Sequence, residues 1–409
     1  MNRTSHLLFL LVLALMAGGL FATDGRMISL GYPYGFIRDD SDVHVYPATI
    51  FKYNRGVTGE LYWDEYYYDK DDDELSWCWT LGTNVPVGKN VFGAYLNMPV
   101  DPLVNLDLIN GDYKTRDDLD LSRKQQFNFG FKDHFALGLG YAADSYSQKW
   151  EGSEKYENSE DESAMYLELD GGMSFERMDL GLMAYLYNGK SGRHMDEAYV
   201  EDYSASGFGA DLHGRYFVQE TDLLDVVATA DLGFSNGAWT TYEEPDQKSD
   251  SDLGGSALMG GLGLGADYKI TPNHHIVLSL APVRFFSQKM SLKTSGESDF
   301  TDSELVLFIP EYTLGLESQV TKWLTGRIGA IQSIQLWKWT HNDDWEEGYN
   351  LYEESDYTPY FDMNCGLGFH FGKFNVDAVL SKRLLHEGPS FIGGMSGGFA
   401  SHISVNFQY

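Results

Sequence analysis

Read in steps of two, most of this chain alternates between apolar side chains and polar or glycine positions, and tight turns interrupt the alternation at intervals. Phe127, Phe129 and Phe131 stand opposite Gln126, Asn128 and Lys132, and the next segment sets Phe135, Leu137, Leu139 and Tyr141 opposite Gly138, Gly140 and Asp144. The unit returns as Met165, Leu167, Leu169, Met173 and Phe175 followed by Met178, Leu180, Leu182, Ala184 and Leu186, joined through Glu176 and Arg177. It returns again as Phe361, Met363, Cys365, Leu367, Phe369 and Phe371 followed by Phe374, Val376, Ala378 and Leu380, through Gly372. Successive side chains of a strand point to opposite faces, so each segment reads as a strand with one apolar face and each pair as a hairpin. Such alternation over about 10 residues suits a strand between lipid and a lumen, although soluble sandwiches alternate too.

The two ends of the chain favour the membrane. Arg3, the apolar run from Leu7 to Met16 and the small residues Ala17, Gly18 and Gly19 read as a secretory signal peptide over residues 1–22, cleaved after Ala22 with Gly19 as the alternative. No cysteine follows the run, so it is not a lipoprotein signal. After it, no stretch approaches the roughly 20 apolar residues of a membrane helix. At the C-terminus, Phe399, Ile403, Val405, Phe407 and Tyr409 share one face while His402, Ser404, Asn406 and Gln408 share the other. Ile403, Val405, Phe407 and the terminal aromatic Tyr409 resemble the assembly signal by which outer-membrane barrels engage the barrel-assembly machinery.

Tight turns are expected near Gly88, Asp133, Arg177, Asp222, Thr271, Thr321 and Gly372, and the acidic blocks Asp69 to Glu74, Glu151 to Glu162, Glu243 to Asp252 and Asp343 to Asp356 fall on the other side as long loops. Short periplasmic turns facing long external loops are the usual asymmetry of outer-membrane barrels. Aromatics flank the short turns at Phe131, Phe135, Phe175, Tyr216, Phe217, Tyr268, Trp323, Phe371, Phe374 and Tyr409, as one interfacial girdle. Tyr66, Tyr67, Tyr68, Trp77, Trp150, Trp239, Trp337 and Trp339 offer the opposite one. Fourteen strands flank the seven turns, and an opening strand from Val57 to Tyr67 with a closing strand from Phe399 to Tyr409 makes sixteen; fourteen is the alternative. The fold class is all-β: a closed antiparallel transmembrane barrel over residues 56–409, with both termini in the periplasm of a bacterium. Closure is required because open strand edges cannot be satisfied in hydrocarbon.

A formal charge of −32 argues against nucleic acid as a partner. Lipid and lipopolysaccharide are the expected surroundings, with divalent cations loosely held at the acidic loops rather than in a spaced-ligand calcium site. Cys78 falls on a polar face and Cys365 on an apolar one, so two free thiols are expected.

Residues 23–55 break the strand rhythm and read as a plug, with Gly31, Pro33, Gly35, Asp39, Asp40 and then Tyr46, Pro47 and Ala48. Here the chain resembles the FadL-type and PorV-type outer-membrane proteins. Arg26 to Gly31, then Asp39, Asp40 and Ser41, then Pro47 and Ala48 match the order of their N-terminal motif, with Tyr46 where the family usually has Asn. The match covers under a tenth of the chain, and those families usually have fourteen strands. The resemblance implies a hatch in the lumen. In one branch it also implies a path for hydrophobic compounds, in the other a non-conducting accessory to protein secretion.

Catalysis finds little support. A serine with His402 or His213 is conceivable, but no G-x-S-x-G elbow sits at a suitable turn, no His/Cys cluster has zinc spacing, and His274 and His275 read as a solvated tip. The expected lumen face carries Glu168, Asp170, Asp211, Asp231, Asp267, Asp362 and Asp377 against Lys132, Arg215 and Lys373. An open lumen of this kind favours cations, whereas in a closed one the acids pair with those bases and with the hatch. The expected function is a porin-like or FadL-like transport barrel for an unidentified small or lipid-like ligand.

Overall fold

A computed structural model describes residues 24–63, 77–100, 123–151, 157–195, 199–244, 251–294, 299–345, 348–380 and 400–409. The signal peptide, Phe399, Tyr66 to Tyr68 and the acidic block Asp69 to Glu74 lie outside them.

Among the described residues sixteen strands form one closed antiparallel barrel, each bonded to its neighbours in sequence. The first five are β1 (Gly56–Trp63), β2 (Trp77–Val87), β3 (Asn90–Pro99), β4 (Arg123–Phe131) and β5 (Phe135–Glu151). Then come β6 (Glu157–Ser174), β7 (Met178–Met195), β8 (Tyr199–Glu220), β9 (Leu224–Glu244) and β10 (Ser251–Thr271). The wall continues through β11 (His274–Thr294), β12 (Asp299–Thr321), β13 (Leu324–Trp345), β14 (Gly348–Phe371), β15 (Phe374–Leu380) and β16 (Ala400–Gln408). All seven expected tight turns are present. β1 and β16 close the ring with Val57 opposite Phe407 and Leu61 opposite Ile403.

Parity sets the two faces. Leu137, Leu169, Leu182, Leu212, Leu232, Leu262 and Leu314 stand exposed on the outside, while Asn128, Glu168, Asp211, Ser404 and Asn406 are buried on the inside. An apolar outer belt on a wall without free edges is the form a sheet must take to cross a bilayer. Cys78 and Cys365 are free thiols, as expected.

The described parts of two acidic blocks correct the expectation of long loops. Glu160, Asp161 and Glu162 lie in β6 opposite Gln148, Ser147 and Tyr146, and Glu353, Glu354 and Asp356 lie in β14 opposite Thr340, Trp339 and Trp337. Outside hydrocarbon a strand can be polar on both faces, and in sequence that looks like a loop. With 24 residues in β14, a rise of ~3.3 Å per residue and a tilt of ~40°, the wall reaches on the order of 60 Å against an apolar band of ~25 Å. The wall at β14 therefore rises well above the membrane at the end opposite the short turns.

Two aromatic assignments also change. Phe217 is buried on the inner face, stacked on Arg38 with the guanidinium carbon 4.0 Å from the ring centre. Strict alternation places it there, on the face of Asp211 and Arg215, while Tyr216 points out. Leu336 points out, so Trp337 and Trp339 point in, and Trp337 Nε1 donates to Glu304 at 2.5 Å. Tyr216, Tyr268, Trp323, Phe371 and Tyr409 remain exposed beside the short turns.

Candidate functional site: the hatch in the lumen

Residues 24–55 do not join the wall; they cross its interior. The helix α1 (Asp24–Ser29) ends at Leu30, whose N donates to Arg26 O at 3.1 Å, and Gly31 follows with φ +83°. A Cβ on Gly31 would also lie 2.8 Å from Ala330 N, so the turn and the wall both require glycine here. Asp39 opens a 3-10 turn (Asp40–His44) through a reciprocal cap: its Oδ1 accepts from Ser41 N at 3.0 Å, and Asp42 Oδ2 accepts from Asp39 N at 3.0 Å. Pro47 begins a second one (Pro47–Phe51), where its missing N–H costs nothing. The Gly31, Asp39, Asp40 and Pro47 of the N-terminal motif are thus punctuation for a compact irregular segment. Tyr46, without a capping side-chain bond, is buried and stacks on Arg215, 4.6 Å from the ring centre.

The hatch meets wall strands right round the ring, in the half of the wall nearer the short turns and along the barrel seam. Asp24 N donates to Glu60 on β1, Asn84 Nδ2 on β2 to Tyr53 O, and Asn406 Nδ2 on β16 to Asp40 Oδ2 at 2.6 Å. Wall glycines admit its backbone. A Cβ on Gly181 of β7 would fall 1.8 Å from Val45 O, and one on Gly329 of β13 would fall 2.0 Å from Leu30 C. Met27, Leu30 and Ile37 cluster with Val277 of β11, and Val43, Ala48 and Ile50 with Val91, Tyr95 and Ala136.

Ion pairs fasten it. Fully buried Arg215 holds Asp42 bidentately, Nη2 to Oδ2 at 2.6 Å and Nη1 to Oδ1 at 3.0 Å, and reaches wall Asp179 through Nε at 2.8 Å. Lys52 Nζ meets the same Asp179 at 3.0 Å, and Arg26 Nε meets Glu317 at 2.8 Å. Burial raises the Asp42 carboxyl and Arg215 opposes it, leaving it near 6. Burial and the Lys124 ammonium push His44 down to about 4.

The seven expected lumen acids all face inward, but several have partners within two strands. Glu168 pairs with Lys124, Asp377 with Arg327, Asp170 accepts from Gln126 at 2.9 Å, and Asp267 lies 3.2 Å from His275. Asp362 accepts from Asn364 at 3.3 Å, Asp211 is buried and Asp231 is half-buried opposite Gly261. Of the expected bases only Arg215 is in place. Lys132 and Lys373 are exposed in the tight turns, where the chain reverses and the alternation of faces no longer applies. The bases that do face these acids are Lys124 and Arg327, and Asp179 and Glu317 are the acids that anchor the hatch; inward parity was their only signal in the sequence. His274 and His275 are half-buried against Ser318 and Asp267 rather than forming a solvated tip.

Above the hatch-bearing stretch the inner wall turns apolar. Tyr185 and Tyr187 lie flat over Gly207, Gly209 and Gly237, whose added Cβ atoms would stand 2.2 Å from the rings or hydroxyls. With Tyr166 and Leu253 they form one cluster, and Met183, Met259, Phe286 and Met290 pack against it.

No family model matches the chain, and no curated protein matches it. Among solved structures it is similar to the toluene transporter TodX of Pseudomonas putida at 11% identity, covering 96% of this chain and 98% of that one, with a TM-score of 0.32. It is similar to the toluene transporter TbuX of Ralstonia pickettii at 12% identity, 95% and 98% coverage and a TM-score of 0.32. It is also similar to the ferric yersiniabactin uptake receptor FyuA of Yersinia pestis at 8% identity, 87% and 80% coverage and a TM-score of 0.34.

Proposed function

We propose that this chain is an outer-membrane transport barrel that passes small organic compounds with an apolar body, through a lumen closed at its periplasmic end by residues 24–55. The observation that carries this reading is the inner apolar surface built by Tyr166, Tyr185, Tyr187, Met259, Phe286 and Met290. A water-filled pore keeps its lumen polar, and burying such side chains against the inside of a barrel gives apolar solutes a surface to follow. The hatch is fastened largely by ion pairs and hydrogen bonds to the wall, contacts that a local change of charge or solvation can exchange.

The test is conductance in planar bilayers of the folded protein with and without residues 24–55. Small or absent steps from the full chain and large, cation-selective steps after deletion are expected. A deleted variant that still migrates as a folded barrel yet conducts nothing refutes the hatch-gated lumen, and moves the weight to a non-conducting accessory role in secretion.

A further inference from the structure

Between the hatch and strands β1, β2, β3 and β16 lies a cavity of about 250 Å3 with a mixed lining. Ile28, Val43, Tyr53, Met98 and Pro99 supply apolar and aromatic surface. Asp24, Asp40 and Glu60 supply carboxyls, with His402 beside Glu60 and no lysine or arginine in the lining. Glu60 Oε1 accepts from Asp24 N at 3.2 Å and Oε2 lies 2.7 Å from His402 Nε2. Asp40 Oδ2 accepts from Asn406, but Asp40 Oδ1 is buried without a hydrogen-bond partner in a residue only 7% exposed. The nearby Arg26 is engaged by Glu317 and Asp39.

A buried carboxyl oxygen without a partner is unfavourable, so a site built this way is complementary to something that brings a positive donor. Among the described residues no group of three His, Cys, Asp or Glu is disposed to hold a metal ion. The apolar lining offers nothing to a hydrated metal, and the carboxyls give an anion no positive partner. The volume lies just under the about 300–1,000 Å3 of drug-sized ligand sites, so the occupant is small.

We propose that this cavity binds a small organic cation, a protonated amine whose ammonium donates to Asp40 Oδ1 and its neighbouring carboxyls while its hydrocarbon body lies on Ile28, Val43 and Met98. The Tyr62 ring is already stacked on His402 at 5.3 Å and lies 5.2 Å from the Arg123 guanidinium carbon, so it serves the wall rather than the ligand. Burial, with Glu60 adding to it, raises Asp24 to about 8, and burial with the adjacent Asp39 raises Asp40 well above the usual carboxylate range, so protons supply part of the positive charge. An arriving ammonium replaces one such proton, which leaves to solvent. The assignment deepens the transport reading by naming a substrate class, and it rests on that reading only for what becomes of the bound cation. Binding is measured on the folded protein alone, so either can fail without the other.

The experiment is calorimetric titration of the full mature protein, folded in detergent, with 2-phenylethylammonium chloride at neutral pH in two buffers of different ionisation heat. 2-Phenylethanol and 3-phenylpropanoate serve as neutral and anionic isosteres. Saturable amine binding with proton release, at least tenfold tighter than either isostere, is expected. Asp40→Asn should weaken the amine tenfold or more and leave the alcohol unchanged, and Met98→Trp should block both by filling the cavity. Asp225→Asn, which breaks an ion pair with Lys269 at a tight turn, should change neither. Heat-modifiable migration reports folding of each variant. Equal affinity for the three compounds, no saturable amine binding by the folded protein, or an amine affinity indifferent to both cavity variants overturns the proposal.

Discussion

Replacing Arg215 with methionine should release the hatch. The guanidinium has no exposed surface in its side chain, and it bridges hatch Asp42 and wall Asp179 while lying between the rings of Tyr46 and Phe217. Methionine keeps much of the packing but leaves Asp42 buried without its counter-charge, and Asp179 with only Lys52 and Ser174. Breaking one side of a buried pair costs about 3–5 kcal/mol. Because Asp42 belongs to the hatch and can return to water only when the hatch undocks, that cost falls on the docked state. At ~1.4 kcal/mol per tenfold, the undocked population should rise roughly 150- to 4,000-fold. Adding Asp42→Asn to Arg215→Met removes the orphaned charge and should recover part of the loss, an outcome that simple destabilisation of the wall would not produce. Open probability in planar bilayers reads the effect, and trypsin cleavage at Arg38 and Lys52 reads it independently. If Arg215→Met folds, conducts and resists trypsin like the parent, the ion pair does not hold the hatch.

Gly181→Val should act as strongly by steric means, since even one Cβ at that position meets Val45 O at 1.8 Å; trypsin should then cut the hatch of a barrel that still shows folded migration. His44, held down to about 4, stays uncharged when docked and takes a proton below ~6.5 when released. Its contribution to docking is therefore complete above pH 6.5 and is lost as pH falls toward 4, by roughly 1.4 kcal/mol per pH unit. Trypsin sensitivity compared at pH 7.5 and 5.5 should rise about tenfold more in the parent than in His44→Gln, which isolates this group from Asp24 and Asp42, whose raised values act in the opposite sense. Leu316→Arg, on the outer face seven residues before Trp323, should lower bilayer-folded stability by about 2–4 kcal/mol if it sits at mid-membrane. An unchanged urea midpoint in vesicles would contradict the assigned outer belt.

Strand number, strand parity and the seven tight turns could be read from the chain because all three rest on near-neighbour chemistry. Period-two alternation marks the faces, and Gly88 and Gly372 mark turns with φ of +67° and +70°. Composition misled where something other than lipid decided the environment. Phe217 has the aromatic neighbours of a girdle, yet it shares the inner face with Asp211 and Arg215 and lies on two guanidinium groups. Glu353, Glu354 and Asp356 resemble a loop, yet pair in a strand above the bilayer, where polarity on both faces is permitted.

What the sequence determined by itself was a sixteen-strand wall with an apolar outside and an N-terminal segment that could not be part of it, since each follows from residues a few positions apart. Only the tertiary structure decided which charges meet. Arg215 and Asp42 lie 173 positions apart, Arg26 and Glu317 291, and Asp40 and Asn406 366. No local pattern selects a partner over such separations. Inward parity puts many acids and bases on one surface, and the path of the hatch across the ring settles which of them are neutralised and which, like Asp40, are left facing a cavity.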